Sequence, residues 1–200
     1  MHFRHLVLPT LLACAGWFAP APALADAPVA APAVVIVGEG GSRLTISADA
    51  QHVDILTGAL HLVGDTRGDK RYYHRGKGGG AFVEVKSDAD AFKLRAPDGK
   101  LLWKIKLGAD KIKVSDNEQN TGAWEIKTAH ADKAKVVDAA GKEAGEVKFA
   151  AKIKLKDAAG AERFVVESGA KSAAYAALLL TNVPEEYRPV IVAELLAKGR

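Results

Sequence analysis

From about Phe82 to Val166 the chain alternates apolar and cationic positions with a period of two. Phe92 and Leu94 share one face, with Lys93 and Arg95 on the other; Trp103, Ile105 and Leu107 oppose Lys104 and Lys106. Ile112 and Val114 oppose Lys111 and Lys113, and Ile153 and Leu155 oppose Lys152, Lys154 and Lys156. Successive side chains of a strand point to opposite faces, so each stretch predicts a strand that is apolar inside and cationic outside. Lysines along a strand also discourage intermolecular pairing at an exposed edge. Pro97-Asp98-Gly99 and the Asp-Ala-Ala-Gly runs beginning at Asp138 and Asp157 supply the turns, with φ preset at proline and positive φ open to glycine. The spacing is too uneven for a solenoid or propeller. The predicted fold is mostly β, an antiparallel meander closed as a barrel or folded as a sandwich.

Upstream, Val34–Val37 and Leu44–Ile46 read as strands around Gly38-Glu39-Gly40-Gly41. That loop lacks the Lys-Ser/Thr ending of a P-loop and a following helix to aim amides at phosphate, so it is a strand connection. Residues His52 to Val63, with Gly58 in the middle, fit either two strands or a short helix. Arg67 to Gly80 follows as the densest basic and aromatic segment.

The C-terminus changes character. Ser172–Leu180 is helical in propensity and apolar on almost every side, which implies burial in or against the sheet. Asn182 and Glu185 have capping-box spacing, with Pro184 in the first turn. A second helix is predicted to run to Lys198 and stop at Gly199, with Pro189 kinking it or delaying its start.

Met1 to Ala25 reads as an export signal: a short basic start, an apolar stretch from Leu6 to Phe18, and a small-x-small ending at Ala23-Leu24-Ala25. The apolar run is too short to span a bilayer. In the competing reading, Leu11-Leu12-Ala13-Cys14 is a lipobox and Cys14 becomes a lipidated N-terminus; bulky Leu12 and the continuing apolar run favour cleavage after Ala25. Residues 26–33 are a Pro/Ala lead-in, and 34–200 form a single β-rich domain with C-terminal helices from about 172. The expected location is periplasmic or secreted, or membrane-anchored if Cys14 is acylated. Cys14 is the only cysteine, so after cleavage neither disulfides nor thiolate chemistry is available. The formal charge is +4 with the lysines dispersed, which favours a solvated face. Export argues against nucleic acid as a partner, and no transmembrane span is expected in the mature chain.

The strand run, with Phe92-Lys-Leu-Arg-Ala-Pro-Asp-Gly-Lys-Leu-Leu-Trp-Lys-Ile-Lys106 and Lys135-Val-Val-Asp-Ala-Ala-Gly-Lys142, is closed by the apolar segment Ser172 to Leu180. Over roughly Gly64 to Leu180 this arrangement resembles the tubby-like superfamily, which includes the LURP-one-related proteins and phospholipid scramblases. The resemblance implies a closed antiparallel barrel around a hydrophobic central helix, and a leaning toward lipid or membrane contact. No phosphoinositide-binding or acylated-cysteine motif of that superfamily has a residue-by-residue counterpart here.

For ligand binding the candidates are Arg67, Lys70, Arg71, Tyr72, Tyr73, His74, Arg75 and Lys77. Guanidinium forks match phosphate or carboxylate, aromatic rings cover a sugar or acyl face, and Gly78-Gly79-Gly80 lets a ligand approach. Read as a surface hairpin loop, this segment would meet anionic lipid headgroups or envelope polysaccharide, with Arg71 and Arg75 as its decisive charges. Asp49, His52, Asp54 and His61 bring carboxylate and imidazole together without a zinc spacing, and Asp116–Gly122 lacks the ligand alternation of a calcium loop. No metal and no cofactor is expected. Ser168, Ser172 and His130 show no nucleophile elbow, while Trp103 and Trp124 fall on inward faces as core residues. The expected function is an exported, non-catalytic envelope protein that binds an anionic or lipidic ligand or another envelope protein. The alternative is a periplasmic hydrolase using His52, His61 or His74.

Overall fold

A computed structural model describes residues 33–58, 60–76 and 78–200. The signal segment, the Cys14 lipobox and nearly all of the 26–33 lead-in lie outside the described residues, as does Lys77. The chain forms β1 (Val34–Gly38), β2 (Arg43–Ala48), β3 (His52–Thr57), β4 (Leu60–Arg67), β5 (Lys70–Arg75), β6 (Ala81–Ser87) and β7 (Ala91–Arg95). It continues through β8 (Leu101–Leu107), β9 (Lys111–Ser115), β10 (Trp124–His130), β11 (Lys133–Val137), β12 (Glu143–Phe149), β13 (Ile153–Asp157) and β14 (Glu162–Ser168). Each strand pairs antiparallel with the next, and β1 pairs with β14 through Ile36–Val166 and Val37–Val165. The result is a closed fourteen-stranded barrel. Closure decides between barrel and sandwich, and it removes the exposed edges that the lysines were expected to guard.

The predicted alternation holds along the wall: Phe92, Leu94, Ile105, Val114 and Leu155 are fully buried inside. Trp103 and Trp124 pair with Leu94 and Val114 and pack against the core, but are only partly buried. Residues His52–Val63 resolve into the β3–β4 hairpin. At the Asp138 and Asp157 turns the carboxylate accepts two backbone N–H bonds, and the glycine closing each turn has φ +82°.

After β14 the chain enters the barrel. Ser172 caps a 3-10 helix, Ala173–Leu179, by accepting from the Ala174 N–H at 3.0 Å. This helix lies against β10 to β13. A turn at the far end leads into α1 (Arg188–Ala197), which returns past β2 and β3. All seven residues from Pro189 to Leu195 are buried, as expected for a helix enclosed by a wall. The apolar segment is helical as expected, in 3-10 form, and α1 starts late, with Pro189 in its first turn. One expectation is corrected here: Asn182–Glu185 forms no capping box, and the Asn182 Oδ1 is buried without a partner. The predicted stop at Gly199 is present as a pair of crossed bonds, Arg200 N to Leu195 O at 3.0 Å and Gly199 N to Leu196 O at 2.9 Å. The C-terminus is tied down as well, with the Ser172 hydroxyl donating to the Arg200 carbonyl.

The barrel is therefore filled by its own chain, apolar within and cationic without. That is the reverse of a membrane-spanning barrel, whose outer band is apolar. No helix among the described residues is long and apolar enough to cross a membrane.

Candidate functional site

The segment expected to be a basic loop is largely strand β5, and its alternation splits the candidate residues. Tyr72 and His74 face outward, opposite Asp65 and Val63 of β4; Arg71 and Tyr73 face inward. Arg71 is only 7% exposed and donates from Nη1 to Glu194 Oε1 at 3.0 Å. Its Nε donates to Thr66 Oγ1, and its Nη2 to the carbonyls of Asp49 and Ala50. Tyr73 donates its hydroxyl to the same Glu194 oxygen at 2.6 Å. Burial works against the Arg71 charge, but Glu194 and Tyr73 more than offset it and hold the guanidinium ionised. Burial also raises the Tyr73 phenol well above its ordinary range, and the neighbouring Glu194 charge adds to that. These two side chains are committed to fixing α1 in the barrel. The guanidinium groups left to meet a ligand are those of Arg67 and Arg75.

On the outer face, a groove of about 510 Å³ is lined by His52, Asp65, Arg67 and His74, floored by Val63 and bordered by Gly76, Gly78 and Gly79. Strand register assembles it: His52 of β3 lies opposite Asp65 of β4, and His74 of β5 lies opposite Val63. Asp65 Oδ1 lies 3.1 Å from His52 Nδ1 and orients that ring. The Arg67 guanidinium rests over the Tyr72 ring at 5.8 Å, and that of Arg75 over Phe82 at 4.8 Å. Stacking of this kind holds an arginine in place without using up its forked donors. Lys70 is engaged by Glu84 at 2.8 Å, which raises its pKa through that hydrogen bond.

His61 stands apart from the groove, 3.1 Å from Asp54. Only two of the three histidines named for a hydrolase therefore share a cleft with a carboxylate. Asp49 caps the β2–β3 turn by accepting from the Gln51 and His52 amides, which lowers its pKa. Among the described residues, no three His, Cys, Asp or Glu side chains gather in a way that could hold a metal ion. Asp116–Gly122 is a polar turn organised by Asn117, whose Oδ1 accepts from the Thr121 amide.

A second cleft, about 440 Å³, opens at the barrel mouth where α1 begins. Ile36, Leu44, Leu60, Phe164 and Pro189 line it together with Arg43. Sequence reasoning missed this cleft because its walls come from both ends of the chain. It also missed Glu194, although a lone carboxylate among Val190, Ile191, Val192, Leu195 and Leu196 signals a buried cationic partner.

No protein-family model, no curated protein and no solved structure matches the chain.

Proposed function

We propose that this is an exported, non-catalytic protein of the cell envelope that binds an anionic or lipidic ligand on the outside of its barrel. The observation that carries this reading is the groove in which Arg67, His52 and His74 converge beside a glycine loop. The occupied interior supports it, because the 3-10 helix and α1 take the space an internal ligand would need. Asp65 orients His52, and Arg67 offers a planar fork suited to phosphate or carboxylate. The cleft beside Pro189, part apolar and part charged with Arg43, Arg188, Glu185 and Glu186 in its lining, is of a size to take part of an acyl chain. A barrel around a C-terminal helix is also what the tubby-like resemblance implies, and we infer a distant relation to that superfamily.

The test is flotation of the purified chain with phosphatidylglycerol vesicles and, separately, with phosphatidylcholine vesicles. Binding to the anionic vesicles alone, lost in an Arg67→Ala, Arg75→Ala variant that keeps its melting temperature, is the expected result. Equal binding by variant and parent would remove the groove from the reading. The His52–Asp65 pair beside His74 favours a second reading, a hydrolase with His52 as general base. Turnover of a chromogenic ester or phosphoester that disappears in His52→Ala would establish it in place of the first.

A further inference from the structure

The register of the wall sets lysine beside lysine. Lys70, Lys86, Lys93 and Lys104 form one unbroken lateral row across β5 to β8. Lys111, Lys127 and Lys135 form a second across β9 to β11, and Lys133, Lys148 and Lys154 a third across β11 to β13. Lys106 and Lys113 are a further direct pair. Like charges directly opposite in a sheet are destabilising. Edge protection does not account for them in a closed barrel, and solubility alone is served better by acidic residues.

Neighbouring carboxylates soften the repulsion without cancelling it. Nine of these twelve lysines share seven carboxylates, and Glu118 alone serves Lys93, Arg95 and Lys104. Lys106 and Lys127 are exposed and have no carboxylate within salt-bridge distance among the described residues. The surplus is cationic and spread over nine of the fourteen strands.

We infer that the outer wall over β5 to β13 is a docking surface for a linear anionic polysaccharide. Three features favour that partner. The rows run around the barrel, where neighbouring strands lie about 4.8 Å apart, close to the length of one sugar unit. The surface is convex across more than half of the circumference, so a flexible chain can follow it, whereas a flat bilayer touches a cylinder along a narrow strip. The cations are almost all lysine, compact point charges on mobile stems, which suits a partner whose charges are loosely ordered. This inference keeps the anionic class of ligand proposed above and borders that groove at β5, but it rests on the lysines and not on Arg67, His52 and His74, so either can fail alone.

The experiment is titration of the full chain with an alginate oligosaccharide at several salt concentrations, with neutral dextran as control. Binding should be confined to alginate, and its logarithm should fall linearly with the logarithm of salt. A Lys106→Glu, Lys127→Glu variant should lose about tenfold or more in affinity and show a shallower salt slope. Arg67→Ala should leave alginate binding unchanged while impairing the vesicle flotation. Circular dichroism melting checks that the fold is intact, and Lys106→Gln, Lys127→Gln provides a milder version with the same expected direction. Absence of alginate binding, undiminished binding by both double variants, or binding to anionic vesicles alone would overturn the inference.

Discussion

Tyr73 and Glu194 are 121 residues apart and share a hydrogen bond of 2.6 Å in the interior of the barrel. Arg71 meets the same carboxylate oxygen at 3.0 Å, so two consecutive inward positions of β5 grip one side chain of the enclosed helix. Breaking a buried ion pair from one side strands a charge, at a cost of about 3–5 kcal/mol. Arg71→Met and Glu194→Leu should each lower the unfolding free energy obtained from urea titration by an amount in that range. The double variant should recover much of the loss, because two apolar side chains strand no charge and only the Tyr73 hydroxyl loses its acceptor. Additive losses in the double variant would show that the pair is not a coupled unit.

The alkaline limb of stability should depend on Tyr73. Its phenol is held well above the ordinary tyrosine value by burial first and Glu194 second. Below the unfolded value both states keep the proton. Above about pH 10 the unfolded chain ionises and the folded one does not, so stability falls as pH rises. Tyr73→Phe should flatten this decline in melting temperature measured between pH 9 and 11, although it loses stability at neutral pH by leaving Glu194 one donor short.

Gly64 faces Tyr73 across the β4–β5 pair. A Cβ there would lie 2.8 Å from the tyrosine ring and 3.1 Å from Arg71 Cδ. Gly64→Ala should therefore push both side chains off Glu194 and cost about 1–3 kcal/mol. Chemical denaturation gives the energy, and the loss should shrink when Tyr73→Leu is already present.

On the acid side, Glu118 has its pKa lowered by the hydrogen bond from Lys93 and by the charges of Lys93, Lys104 and Arg95. A depressed carboxylate contributes stability above its unfolded value, and that contribution is lost as pH falls through the folded value. Glu118→Gln should reduce the fall in melting temperature below about pH 4.5. A parallel shift of the whole curve, with its acid slope unchanged, would contradict the assignment.

The enclosed segment is part of the core. Ile191 is fully buried, and Ile191→Ala should cost about 2–5 kcal/mol by transfer loss and cavity formation. Deleting residues 172–200 should leave a chain without cooperative thermal unfolding, because the inward faces of β10 to β13 would lose the helix that covers them.

The sequence carried a good deal of this. Period-two alternation identifies β7, β8, β9 and β13 and their faces, because pleating ties sequence parity directly to orientation. Asp-x-x-Gly identifies turns, since the carboxylate bonds its own backbone and glycine accepts positive φ. The segment from Arg67 to Arg75 was harder to read. Its polar residues occur on both faces, so composition suggests a loop, and only the phase set by Gly64 and Leu62 on the neighbouring strand turns Arg71 and Tyr73 inward.

The sequence by itself determined the alternating strands such as β7, β8, β9 and β13 with their inner and outer faces, the apolar C-terminal segment and the stop at Gly199, because these depend on residues a few positions apart. Tertiary structure alone decided the closure of β1 on β14, the entry of α1 into the barrel, and which cations are spent inside or displayed outside. Those outcomes depend on register between distant strands, and a carboxylate such as Glu194 specifies its partner only when the fold carries Arg71 to it.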